Sequence, residues 1–102
     1  MIEHRKSARH PVNIPATFTV HGTAHETSIL NLSVGGALVV FEERLSPNER
    51  VELSFRVPTL ETEIKVGGVV RWTGGEAIGV QFDGLRAKEV WALNKYFESL
   101  PG

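Results

Sequence analysis

The sequence predicts an all-β domain with one C-terminal helix, folded as a six-stranded antiparallel β-barrel. Two periodicities support this prediction. Apolar and polar residues alternate over six short segments, as in strands with one buried face and one solvated face. After residue 85 the apolar residues recur every three or four positions, which indicates a helix. Closure of the six strands into a barrel would leave no unpaired sheet edge.

The predicted strands are bounded by glycine, proline and short polar residues. The clearest covers residues 51–57, in which every odd position is apolar. The others cover residues 13–20, 26–30, 37–41, 61–73 and 78–82. Because Gly67 and Gly68 stand in the middle of the longest strand, we expect a bulge or a sharp coil there.

The length of 102 residues fits a single domain. Residues 1–10 are polar and aperiodic, so we expect a flexible basic N-terminal arm, followed by the barrel over residues 11–102. The helix is predicted over residues 86–99. Its apolar stripe, which should pack on one end or face of the sheet, comprises Val90, Leu93, Phe97 and Leu100, with Ala87 flanking them.

The charge distribution favours a small anionic ligand. Arg5, Lys6 and Arg9 against Glu3 give residues 1–10 a formal charge of +2, so the rest of a chain with net charge −1 carries −3. A long nucleic acid would require a broad basic face, which this distribution does not predict.

Composition gives little support for an enzyme or a metal protein. The chain has no cysteine and no apolar run of the roughly 20 residues that cross a bilayer, so we expect a cytoplasmic protein without membrane insertion. Asp83 is the only aspartate and falls in a predicted turn. His21 and His25 have the i, i+4 spacing of a metal pair, but on a turn and strand rather than a helix. We therefore predict no catalytic residues, no metal and no cofactor.

Residues 31–36 interrupt the strand pattern with the sequence Asn-Leu-Ser-Val-Gly-Gly. Asn31 and Ser33 can hydrogen-bond either the local backbone or a bound molecule. The stretch by itself is compatible with an ordinary turn, which is the commoner case, or with a small anion- or base-binding loop. Gly35 is expected to keep the turn tight.

Four motifs in order resemble the PilZ domain family. They are Arg5-x-x-x-Arg9, Asn31-x-Ser33-x-x-Gly36, Val69-Val70-Arg71-Trp72 and Ile78-Gly79-Val80-Gln81-Phe82. Each is weak alone, but their order and spacing together are fairly specific, and they extend over most of the chain.

The resemblance implies a barrel with a helix and a receptor for the bacterial second messenger cyclic di-GMP. Arg5 and Arg9 would hold its phosphates and guanine edges, with added charge from Lys6 and His10. Asn31, Ser33 and Gly36 would contact a guanine and the nucleotide backbone from a loop that the barrel preforms. In that case Ser33→Ala should weaken binding with little change in melting temperature. Ordering of the arm would then signal to a downstream protein partner.

Two alternatives remain open at this point. A PilZ-like adaptor that binds no nucleotide is one, although the chain keeps the arginine motif. The other is a barrel for single-stranded nucleic acid, which requires exposed stacking aromatics on its strands. This alternative is disfavoured because the strand aromatics fall on the alternating apolar faces and are predicted to lie in the core; they are Phe18, Phe55, Trp72 and Phe82.

Overall fold

A computed structural model describes residues 9–101, and these form a closed barrel of six antiparallel strands with one helix. The strands are β1 (His10–Val20), β2 (Thr23–Leu32), β3 (Gly36–Val40), β4 (Arg50–Phe55), β5 (Ile64–Gly74) and β6 (Ala77–Phe82), and the helix is α1 (Ala87–Ser99). They pair in the order β1-β2-β3-β6-β5-β4, and pairing of β4 with β1 closes the barrel. The predicted fold class is confirmed.

The first two strands are longer than predicted. β1 begins at His10 rather than residue 13, and β2 extends to Leu32 because His10 pairs with Leu32 across the two strands. Their connection is tight, with positive φ angles of 53° at His21 and 77° at Gly22. Consequently the loop between β2 and β3 contains only residues 33–35.

The barrel interior is filled by the inward-facing apolar residues of all six strands. The largest fully buried side chains on the strands are Phe18, Ile29, Val39, Leu53, Phe55, Ile64, Val70 and Ile78, together with Leu32 next to the loop. Alternation therefore identified the buried face of most strands correctly.

Helix α1 packs against the barrel core, and its buried face only partly matches the predicted stripe. Ala92 and Leu93 are fully buried, whereas Ala87 is exposed. Glu89 is also buried. Its carboxylate accepts a hydrogen bond of 2.9 Å from the backbone N–H of Arg86 at the start of the helix. None of the residues between 9 and 101 belongs to a helix long and apolar enough to span a membrane.

β5 contains a bulge, but it does not lie at Gly67 and Gly68, where a bulge or a sharp coil was predicted. The β4–β5 pairing is regular through both glycines, and the β5–β6 register shifts between Val70 and Trp72 instead. A Cβ atom at Gly68 would overlap the backbone oxygen of Gln81, so the glycine permits close approach of β5 and β6.

The shifted bulge overturns one core prediction. Phe18, Phe55 and Phe82 are buried as predicted, but Trp72 is 54% exposed. Strict alternation would place Trp72 on the same face as Val70. The extra residue between them turns the Trp72 side chain to the outside of the barrel.

Candidate ligand-binding site

A cleft of about 640 Å³ lies on the outside of the barrel beside the β2–β3 loop. It is formed by the loop, the outer faces of β3, β5 and β6, and the residue before β1. The residues that line it are Arg9, Ser33, Gly35, Gly36, Ala37, Leu38, Arg71, Trp72, Gly79, Val80 and Gln81. This volume is within the range of small-molecule sites in proteins.

Ser33 organises the loop at one wall of the cleft. Its side chain is buried, and its hydroxyl oxygen accepts hydrogen bonds from the backbone N–H groups of Gly35, at 3.2 Å, and Gly36, at 3.1 Å. Its own backbone N–H donates to the carbonyl of Gly36 at 2.9 Å. The backbone oxygen of Gly35 also accepts from the Phe82 N–H at 2.9 Å, which ties the loop to β6. The loop is therefore held in shape by the protein itself.

The two glycines of the loop have different roles. Gly36 pairs with Gln81 across β3 and β6, and a Cβ atom at Gly36 would overlap the backbone oxygen of Val80. A glycine is thus required for the two strands to approach at the floor of the cleft. Gly35 has open space where a Cβ would be and no positive φ, so the predicted need for glycine in the turn does not apply to it.

Asn31 lies in β2 rather than in the loop. It is half-buried and stands opposite Pro11 on one side and Leu38 on the other. Ile29 and Leu32 are fully buried, and a register shift in β2 leaves Leu30 and Asn31 between them toward the outside. Asn31 is near the cleft through Leu38 but is not one of its lining residues.

Only one of the two arginines of the arm lies within the described residues. Arg9 is exposed and lines the cleft together with Ser33 and Gly36, so the structure brings these three predicted residues together. Arg5 and Lys6 lie outside the described residues. His10 does not line the cleft, and its ring stacks on Phe97 of α1.

Arg71 belongs to one of the four sequence motifs but was not predicted as a site residue, and it lines the cleft. Its Nε donates to the Gln81 side-chain oxygen at 2.5 Å, and its Nη1 donates to the Asn48 side-chain oxygen at 2.8 Å. Both acceptors are neutral amides, so they orient the guanidinium without compensating its charge. The described residues lining the cleft include two arginines and no carboxylate, which makes it suited to an anion.

Trp72 is the second cleft residue whose position was not foreseen. Its indole lies over Gly74, where a Cβ atom would come within 2.6 Å of the ring, and its Cβ lies beside Gly79. The absence of side chains at both glycines makes room for the ring on the barrel surface. An exposed indole beside two guanidinium groups can stack on a planar base.

The polar side chains considered as candidates for catalysis or metal binding, Asp83, His21 and His25, have separate partners. Asp83 receives hydrogen bonds of 2.9 and 2.5 Å from the Arg50 guanidinium. This pairing lowers the pKa of Asp83 and raises that of Arg50, chiefly through the hydrogen bonds. His21 contacts the Glu49 carboxylate at 2.8 Å, whereas His25 stands edge-on to Phe41. The two histidine rings thus contact different partners.

A family model described as "PilZ domain" matches residues 3–99. The curated proteins gave no sequence match. The matching solved structures include the inhibitor of motility MotI/DgrA of Bacillus subtilis, with a TM-score of 0.75 and 19% identity over 98% of this chain and 55% of that one.

Two further solved structures share the fold. PlzA of Borreliella burgdorferi, solved in complex with c-di-GMP, has a TM-score of 0.70 and 23% identity over 93% of this chain and 41% of that one. The PilZ domain of CeSA from a cellulose-synthesizing bacterium has a TM-score of 0.70 and 18% identity over 90% of this chain and 96% of that one. The chain spans about half of the length of MotI/DgrA and less of PlzA.

Proposed function

The chain belongs to the PilZ domain family, and we propose on this basis that it binds cyclic di-GMP in the cleft beside the β2–β3 loop. The observation that carries the proposal is the composition of this cleft. Two guanidinium groups, from Arg9 and Arg71, stand with the exposed indole of Trp72 against a preformed loop. The two guanidinium groups match the two phosphates of the ligand, and the indole offers a stacking surface for one of its guanines. The PlzA structure, which has the same fold, was solved with c-di-GMP.

Each group has a distinct task in the proposed complex. A guanidinium presents paired donors in a plane, which fit a phosphate or the O6/N7 edge of guanine. We assign such contacts to Arg9 and Arg71 and expect Arg5 to add a third. The Trp72 indole would stack on a guanine. Ser33 would act mainly by shaping the wall, because its hydroxyl oxygen already accepts two backbone hydrogen bonds.

Binding itself, rather than a reaction, is the proposed biochemical role. The part of the arm before Arg9, which contains Arg5, would become ordered around the ligand, at a cost in conformational entropy that moderates the affinity. A downstream protein partner would recognise the ordered form. Asn31 would contribute through its amide at the edge of the site, as the family motif implies.

Calorimetric titration with cyclic di-GMP tests the proposal. Arg9→Ala should weaken binding about tenfold to a hundredfold, because a charge-assisted hydrogen bond contributes roughly 1.5–3 kcal/mol. Arg56→Ala is the matched control, since Arg56 is an exposed arginine that does not line the cleft. Absence of binding to the wild-type chain would favour an adaptor that recognises no nucleotide, and unchanged affinity of Arg9→Ala would refute the assignment of the cleft.

A single-stranded nucleic acid is a second candidate because Trp72 is exposed. Trp72 is a single stacking platform in the cleft, however, because the exposed Trp91 does not line it and Phe18, Phe55 and Phe82 are buried. Single-strand binding surfaces stack successive bases on several aromatics along a basic groove. In competition, an oligonucleotide should therefore displace cyclic di-GMP only weakly. Stronger binding of the oligonucleotide would reverse the order of the two candidates.

A further inference from the structure

One contact joins the edge of the cleft to the C-terminal helix. The ring of His10 stacks on the ring of Phe97, with centroids 4.0 Å apart and an interplanar angle of 16°. His10 is the first residue of β1 and directly follows Arg9, which lines the cleft. Phe97 belongs to α1 and does not line the cleft.

The beginning of β1 needs such a contact because its attachment to the sheet is weak. The register of β1 against β2 shifts between Pro11 and Ile14, so His10 and Pro11 are separated from the regular part of the ladder. Pro11 also has no N–H to donate. Pairing with Leu32 and Asn31 holds one side of this short segment, and Phe97 holds the other.

The helix provides a firm support for the stack. Ala92 and Leu93 are fully buried against the barrel, and the Thr59 hydroxyl donates a hydrogen bond of 2.6 Å to the Ala92 carbonyl. Phe97 is half-buried and packs against the same core. A ring fixed in this way restricts where His10, and therefore the adjacent Arg9, can lie.

We propose that Phe97 is a positioning residue for the ligand: through the stack with His10 it holds Arg9 in the cleft and couples ligand binding to docking of α1. The inference rests on the proposed function. Coupling between two equilibria is reciprocal. If docking of the helix favours binding, then cyclic di-GMP must stabilise the docked helix, and a partner that contacts α1 would sense the ligand.

The test is the affinity of helix variants for cyclic di-GMP, measured by calorimetry. Phe97→Leu keeps an apolar side chain but removes the aromatic stack, and we expect about two- to tenfold weaker binding, the range of an aromatic pair. Tyr96→Leu is the matched control, because Tyr96 is also half-buried against the core. His10→Ala removes the other ring without altering the helix and should weaken binding to a similar degree.

The Arg9→Ala background distinguishes positioning from general destabilisation. If Phe97 acts through Arg9, adding Phe97→Leu to Arg9→Ala should weaken binding little further. Equal losses for Tyr96→Leu and Phe97→Leu, or wild-type affinity for both Phe97→Leu and His10→Ala, would overturn the inference and leave the proposed function intact.

Hydrogen exchange of the wild-type chain provides a measurement that needs no variant. Saturating cyclic di-GMP should slow exchange of the amides in the last two turns of α1, around Phe97. Binding without added protection there refutes the coupling alone. If the wild-type chain shows no binding, both the proposed function and the coupling fail, so the two failures are distinguishable.

Discussion

Replacement of Trp72 by alanine should separate the contribution of the cleft to binding from its contribution to folding. The indole is 54% exposed, so slightly less than half of its surface is covered by the protein. If a fully covered tryptophan buries about 200 Å², Trp72→Ala removes roughly 100 Å² of buried surface. The free energy of unfolding should then fall by about 2.5 kcal/mol as an upper bound. Separately, the loss of stacking on a base should weaken the binding free energy of the ligand by ~1–3 kcal/mol.

Trp91 allows this variant to be controlled closely. It is 57% exposed on α1 and does not line the cleft. Trp91→Ala should therefore lower the free energy of unfolding by an amount similar to Trp72→Ala. Only Trp72→Ala should also weaken the binding of cyclic di-GMP, by about fivefold to more than a hundredfold.

Urea unfolding gives the free energy of unfolding of each variant, and calorimetric titration gives its affinity for cyclic di-GMP. The reasoning is refuted if Trp72→Ala binds cyclic di-GMP as tightly as Trp91→Ala does. Stacking would then have to be assigned elsewhere, although Arg9 and Arg71 could still hold the phosphates. A loss of affinity in both variants would instead indicate that general destabilisation weakens the site.

Two further predictions concern stability. Ser33→Ala should lower the free energy of unfolding by roughly 1–3 kcal/mol in urea, because the backbone N–H groups of Gly35 and Gly36 lose their acceptor; a melting temperature equal to wild type would contradict the loop geometry. Asp83→Asn should be less stable than wild type at pH 7. Because the Arg50 contact lowers the pKa of Asp83 in the folded state below its ordinary value of 3.8, the difference should persist down to about pH 5 and disappear as the pH falls through the folded pKa. An equal difference at pH 7 and pH 2 would exclude this origin.

The Ser33 prediction reverses what the sequence alone suggested. The motif indicated a hydroxyl that contacts the ligand and contributes little to stability. The structure shows a buried hydroxyl whose oxygen accepts two hydrogen bonds from the loop itself. Sequence cannot distinguish these roles, because a short polar residue before two glycines is compatible with either one.

The fold was largely predictable because the alternation of apolar and polar residues within a strand indicates which face is buried. Val51, Leu53 and Phe55 alternate with polar residues, and the alternation follows directly from the pleat of a strand. The helical stripe was less accurate for a physical reason. The carboxylate of Glu89 accepts a hydrogen bond at the start of α1, so a charged residue is buried together with Ala92 and Leu93, and a search for apolar residues alone does not find it.

The site was predictable only where a residue contributes by its own chemistry. Arg9 was predicted as a ligand-binding residue from its charge and motif, and it lines the cleft, while its contact with the ligand stays a prediction. Asn31 was placed in a loop but lies in β2, because pairing with Pro11 and Leu38 extends that strand. Such pairing joins distant parts of the chain and leaves no local signal in the sequence.

The bulge in β5 explains how half of the cleft is built. In a regular strand, neighbouring side chains point to opposite faces, so an arginine and a tryptophan in sequence could not both reach one ligand. The register shift between Val70 and Trp72 leaves Val70 buried and turns both Arg71 and Trp72 to the outside. A cation and a stacking surface thereby become adjacent on one face, next to the strand that ends at Phe82. One extra residue in the ladder thus places side by side the two groups that we propose to contact a phosphate and a base.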